Sequence, residues 1–240
     1  MALPKLASLK FKAALPSDGR QITYRPFLVK EEKTLLVAME SEDTDMMIRS
    51  LTEIVNSCVD DDEFDVSQAP FFDSEYLFLQ MRAKSIGEVS TLQYSHTDHL
   101  NYSGEFCEHV SEIKVDLNEI VAEKAENHIH EIQITDQLKV KMRYPTLTEL
   151  TKFDFESEEN QDEFLFVATC LEYVFDENEV YEADTLDEKV KFIESMNSQQ
   201  LSKLTEFFDT MPRIRKEITY KCGGCQQEDT VKLEGLSDFF

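Results

Sequence analysis

Glycine and proline are scarce, six of each in 240 residues, and tryptophan is absent. So few glycines leave few places where a backbone could wrap closely round a phosphate. No Gly-rich phosphate loop, G-x-S-x-G elbow or His-Glu-x-x-His helix occurs. No apolar run reaches 18 residues, so no membrane-spanning helix is expected. The N-terminal stretch MALPKLASLKFKAALPSDGR carries basic residues but no continuous apolar segment, and no secretory signal is read there. Basic residues are also in short supply: 24 Lys and Arg face 49 Asp and Glu, a net charge of −25. Such a surface repels nucleic-acid phosphates, and no basic stretch interleaved with aromatics marks a single-strand binder.

What is present is 41% hydrophobic residues, enough for a sizeable core. The acidic stretches ESEDTD, CVDDDEFD and FDFESEENQDE read as solvated loops and helix faces; the sharper alternative is that they mask a basic or sticky partner. Carboxylates are abundant, but no pair stands out in an apolar setting, and no residue set supports catalysis. The five cysteines are an odd number, which argues against a disulfide framework and for a reducing compartment. Cys58 and Cys170 read as buried small hydrophobes.

Periodicity predicts an α+β protein. Residues 1–86 hold a strand in GRQITYRPF and then three helices. These lie in FLVKEEKTLLVAMES, in TDMMIRSLTEIVNSCV (capped by Thr44 or Asp45) and in DSEYLFLQMRAKS (capped by Asp73 or Ser74). Residues 87–145 are β-rich, with strands in GEVSTLQYS and SEIKVDLNEI and a hairpin turning at Thr135, Asp136 and Gln137. Residues 146–212 are helical: a short TLTELTKF, a buried QDEFLFVATCLEYVF, and one or two amphipathic helices up to Pro212. Residues 213–240 form a terminal strand–turn–strand. The four regions make one or two compact domains, with the last hairpin packing on the middle strands.

The terminal turn reads KCGGCQ. In a zinc knuckle, Cys-x-x-Cys at a hairpin tip sets two thiolates on one side of a tight turn, and small residues such as Gly223 and Gly224 let the chain fold that sharply. A thioredoxin-like pair would need a helix after the motif, and a strand follows here. Zinc wants four ligands, so a second pair must come from elsewhere. LQYSHTDHL places His96 and His99 at the same spacing after a strand, with Tyr94 matching Tyr220 and His96 matching Cys222. Read backwards from the next strand, CEHVSEIKVDL matches CQQEDTVKLEG, which sets Cys107 on Cys225. Both comparisons make the middle strands a second copy of the terminal hairpin, with an insertion in the middle knuckle. The expected ligands are Cys222 and Cys225 with His96 and His99; Cys107 is the alternative and His109 a further candidate. A closed four-ligand zinc site of this kind is structural. His128 and His130 share a strand face and are read as structural rather than ligating.

Several stretches resemble the T4-type bacteriophage baseplate protein family. They are LPKL (Leu3 to Leu6), YRPFLVKEEK (Tyr24 to Lys33), the helix end from Glu75 to Glu88, the strand Val140 to Pro145, and the terminal Cys222 to Phe240. The sequence departs from the family pattern at the middle knuckle, where HTDH stands in place of Cys-x-x-Cys. The resemblance implies a non-enzymatic assembly factor of the baseplate hub of a contractile-tailed phage. It would act in the cytoplasm of the infected bacterium and bind hub or tail proteins, not nucleic acid or membrane. The alternative is a structural hub component retained in the virion baseplate. Candidate partner contacts are RPFLVK, APFF and the terminal LSDFF; the first two read more readily as core. Phe239 and Phe240 are the preferred contacts, because chain ends are usually exposed.

Overall fold

The computed structural model describes residues 8–41, 43–95, 104–150, 152–153 and 161–239. Strands β1 (Phe11–Ala14) and β2 (Gln21–Tyr24) form an antiparallel hairpin. Its inward residues include Ile22 and Tyr24, which are fully buried. The strand β1 adds to the single strand expected here. Three helices follow: α1 (Val29–Glu40), α2 (Thr44–Cys58) and α3 (Phe71–Ser85). Asp43, not Thr44 or Asp45, caps α2, its carboxylate accepting from the Met46 N–H at 3.0 Å. The α3 helix begins before the expected caps, because Asp73 and Ser74 both point into the core. Asp73 there accepts from the Ser17 N–H at 3.0 Å. Burial pushes its carboxyl up to about 6.

Arg25 ties this first region together. Its guanidinium meets the Glu31 carboxylate in a two-pronged pair, with contacts of 2.9 and 2.8 Å. It also donates to the backbone oxygens of Pro26 at 3.0 Å and Ser57 at 2.8 Å. The strand end, the α1 start and the α2 end are thereby fixed to one another by charge-assisted bonds.

The β-rich stretch holds β3 (Val89–Ser95) and β4 (Val110–Asp116), an antiparallel pair running from Val89↔Asp116 to Ser95↔Val110. A short β5 (Ala122–Glu123) comes next, then β6 (Glu131–Gln133) and β7 (Lys139–Met142), joined at the expected turn. After α4 (Leu147–Leu150), helix α5 (Gln161–Cys170) is shorter than expected. At Leu171 the chain switches directly into β8 (Leu171–Phe175), which pairs with β7. The run LEYVF is apolar enough for a buried helix, but its β-branched and aromatic residues fit the ladder that β7 offers. Then come β9 (Val180–Tyr181), α6 (Leu186–Glu194) and α7 (Ser198–Thr210). A capping box at Asn197 and Gln200 divides the last two helices. The terminal strands β10 (Arg213–Lys221) and β11 (Glu228–Glu234) form the expected hairpin.

Among the described residues the strands make four small sheets: β1-β2, β3-β4, β11-β10-β5 and β6-β7-β8-β9. The architecture is α+β. One apolar cluster gathers Ile22, Tyr24, Val55 and Phe78, and another gathers Val140, Met142, Leu204 and Phe207. A third binds the two hairpins to α3 through Leu79, Ile113, Val115, Ile214, Val231 and Leu233. Phe239 joins this third cluster and is fully buried. Its carbonyl accepts from the Ser90 hydroxyl at 3.1 Å. The exposed aromatic contact expected at Phe239 is therefore corrected: a ring this close to an apolar cluster gains more by docking than by facing water. Phe240 lies outside the described residues.

Candidate metal centre

The tips of the two hairpins meet. Cys107, just before β4, and Cys222 and Cys225, between β10 and β11, are all buried, and their sulfurs lie within 4.8 Å of one another. The Cys107 and Cys222 sulfurs are 3.7 Å apart. A disulfide would hold them at about 2.0 Å. Two thiolates on a tetrahedral zinc, each with a bond of about 2.3 Å, stand about 3.8 Å apart. The spacing therefore fits a shared ion and not a bridge.

The turn between β10 and β11 is built for this. The Cys222 N–H donates to the Gln227 carbonyl at 2.9 Å, and the Gln226 N–H donates to the Cys222 carbonyl at 3.0 Å. Gln226 takes a left-handed φ of 62° to close the loop. The Gly224 N–H reaches the Cys222 sulfur at 3.4 Å. Burial, with the neighbouring Cys222 and Cys107 sulfurs, pushes the Cys225 thiol above its ordinary value. Three sulfurs brought together in this way could hold a metal ion, which would favour their ionised form.

Both glycines are required by His109, which packs over the turn. A Cβ on Gly223 would sit 2.6 Å from His109 Nε2, and one on Gly224 would sit 2.6 Å from His109 Cβ and 3.1 Å from the Cys107 sulfur. The two clashes differ in kind. Gly223→Ala is expected to cost about 1–3 kcal/mol, and His109→Ala should relieve it by removing the ring. Gly224→Ala should cost at least as much and should not be relieved, because alanine at 109 keeps the offending Cβ. Thermal melts of the two glycine variants, each alone and combined with His109→Ala, check this; equal rescue of both glycine variants would show that the ring is not what the turn packs against.

Of the sequence-predicted ligands, the described residues bring together Cys222, Cys225 and the alternative, Cys107. His96 and His99 lie outside the described residues. His109 serves as a packing surface for the turn, outside the thiol cluster. Just below the site the Tyr94 and Tyr220 rings meet edge to face, with centroids 5.9 Å apart. His128 and His130 pack against Tyr144 and Phe207. Burial, with the charge of His130, holds the His128 imidazole down at about 4, so it is neutral at neutral pH. Cys58 and Cys170 are buried, and burial pushes the Cys170 thiol up to about 12.

The fold and this centre define an α+β protein with a buried three-thiol cluster joining two hairpins. The family model described as T4 bacteriophage base plate protein matches residues 6–240. The chain belongs to that family. No curated protein and no solved structure shows significant similarity to it. No described helix is long and apolar enough to cross a membrane.

Proposed function

We propose that this base plate family protein is a non-enzymatic assembly factor for the baseplate hub, made rigid by one structural zinc ion. The ion would be held by Cys107, Cys222 and Cys225, with the fourth donor an imidazole from His96 or His99. The three buried sulfurs carry the metal part of this reading: a closed sulfur-rich set suits zinc and leaves no open position for chemistry. The role in assembly is supported by charge. A chain at −25 repels its own copies and stays apart from other acidic surfaces. This suits an escort that keeps hub subunits separate until assembly, in the cytoplasm of the infected bacterium.

The non-enzymatic reading is supported by how the polar groups are used. A cleft of about 620 Å³ is lined by His130, Arg143 and Glu149, among others. Glu149 is engaged by Arg143 at 2.7 and 2.9 Å, and His130 Nδ1 lies 3.0 Å from the Met142 carbonyl. Glu149 is thereby held as the partner of Arg143 and is not a free base. For partner contact, Leu28 and Val29 at the start of α1 are exposed, whereas Phe27, Ala69 and Phe72 are buried. The surface part of RPFLVK thus replaces Phe239 as the proposed apolar contact.

The test is recovery of the tagged protein from infected cells, with metal analysis of the complex, alongside mass spectrometry of finished particles. Hub or tail proteins should co-purify with it, and its peptides should be missing from mature virions. Abundant peptides in the virion would overturn the transient role and make it a resident component of the baseplate.

A further inference from the structure

The likeness between the two hairpins extends to elements that precede them. Arg25 has a counterpart 118 positions on in Arg143, and Glu31 has one in Glu149. The bonds they make are the same. The Arg25 N–H donates to the Cys58 carbonyl, and the Arg143 N–H to the Cys170 carbonyl, both at 2.9 Å. Each guanidinium grips its glutamate with both prongs, at 2.8 and 2.9 Å in one case and 2.7 and 2.9 Å in the other. Each donates to the next residue's carbonyl, at 3.0 and 3.2 Å, and to a helix-end carbonyl, Ser57 or Thr169, at 2.8 Å in both. Each glutamate also accepts an N–H from three residues before it, Leu28 or Thr146.

The surroundings repeat as well. Arg25 follows the β1–β2 hairpin and Arg143 the β6–β7 hairpin. Tyr24 bridges to Val59 just after Cys58, as Met142 pairs with Leu171 just after Cys170. The α3 helix leads into β3–β4, as α7 leads into β10–β11. Phe78 and Met81 are buried on α3 where Leu204 and Phe207 are buried on α7. The same clamp stands between an antiparallel hairpin and a helix end in both halves, and each half closes with a helix leading into a second hairpin, the later half adding β9 and α6.

We infer that the chain is a tandem duplication of one unit, the first ending near β4 and the second beginning near β6, with the thiol centre formed where the two copies meet. Tyr94 and Tyr220 occupy equivalent positions and touch each other. Cys107 and Cys225 are likewise equivalent and share one cluster. Equivalent groups in mutual contact are what a two-fold relation produces. One ion, not two, therefore serves both units, and each unit contributes one hairpin tip. The ion itself rests on the metal reading above; the duplication does not.

Equivalence sets the loop length. Lys221↔Glu228 closes β10–β11 over Cys-Gly-Gly-Cys-Gln-Gln, and Ser95↔Val110 closes β3–β4. Replacing residues 96–107 by Cys-Gly-Gly-Cys, and keeping Glu108 and His109, gives the first hairpin the same six-residue closure. This shortened chain is expected to fold, to melt within a few degrees of the parent and to bind one Co²⁺. The thiolate charge-transfer absorbance should rise by about a third as sulfurs go from three to four. A control with one extra glycine in the loop should lose metal affinity at least tenfold. A shortened chain that unfolds, or that binds metal no better than the control while the parent binds it, would overturn the duplication. If neither parent nor shortened chain binds Co²⁺ yet both melt alike, the duplication stands and the metal reading falls.

Discussion

Stripping the proposed zinc ion from this protein is expected to lower its melting temperature by roughly 8–16 °C and to loosen the two hairpin tips from each other. A ligand held a thousandfold above its dissociation constant contributes about 4 kcal/mol. For a chain of this size each kcal/mol moves the midpoint by about 2–4 °C. Cys107→Ser should match the effect of chelation, because it removes a sulfur only 3.7 Å from Cys222. Cys58→Ser, which lies outside the cluster, should leave metal content unchanged. The measurement is elemental analysis with melts before and after a strong chelator. About one zinc per chain, with the fall in midpoint, is the expected result; a metal-free preparation whose melt ignores the chelator would remove the centre from the account.

Loss of the Glu31 carboxylate should be nearly as costly. Its side chain is only 9% exposed and that of Arg25 only 21%, so Glu31→Ala leaves a largely buried guanidinium without its partner. Breaking such a pair from one side costs about 3–5 kcal/mol, or roughly 6–20 °C in the midpoint. The pH dependence has a definite sign. The two-pronged bond from Arg25 holds the Glu31 carboxyl down at about 2, against an ordinary value of 4.5. The folded state therefore gains from ionised Glu31 in full above about pH 4.5, and the gain is lost as the pH falls toward 2. Melts of the parent and Glu31→Gln should differ most at neutral pH and converge in acid. A gap that widened on acidification would show that the carboxylate is not what stabilises this turn.

Local structure was legible in the sequence where neighbours along the chain decide it. The alternation in ITYKCGGCQ and in SEIKVDL marks hairpin strands, because successive side chains of a strand face opposite ways. The stripe in TDMMIRSLTEIVNSC marks a helix for the corresponding reason at 3.6 residues per turn. The glycine pair between two cysteines marked the knuckle. The change from α5 to β8 at Leu171 is not legible in the sequence, because helix and buried strand share the same apolar composition and only pairing with β7 separates them. The burial of Phe239 is hidden for a similar reason: nothing near it in sequence tells whether the cluster of Ile113 and Val231 lies within reach.

The α+β class, the terminal hairpin, the deficit of positive charge and the thiol pair at Cys222 and Cys225 were set by sequence alone, since each depends on composition or on residues a few positions apart. That Cys107 joins that pair, that Arg143 and Glu149 repeat the bonds of Arg25 and Glu31, and that His109 closes over Gly223 and Gly224 were decided only in the folded chain. Those contacts join residues up to more than a hundred positions apart, and it is the packing of whole elements, not any local preference, that brings such groups within bonding distance.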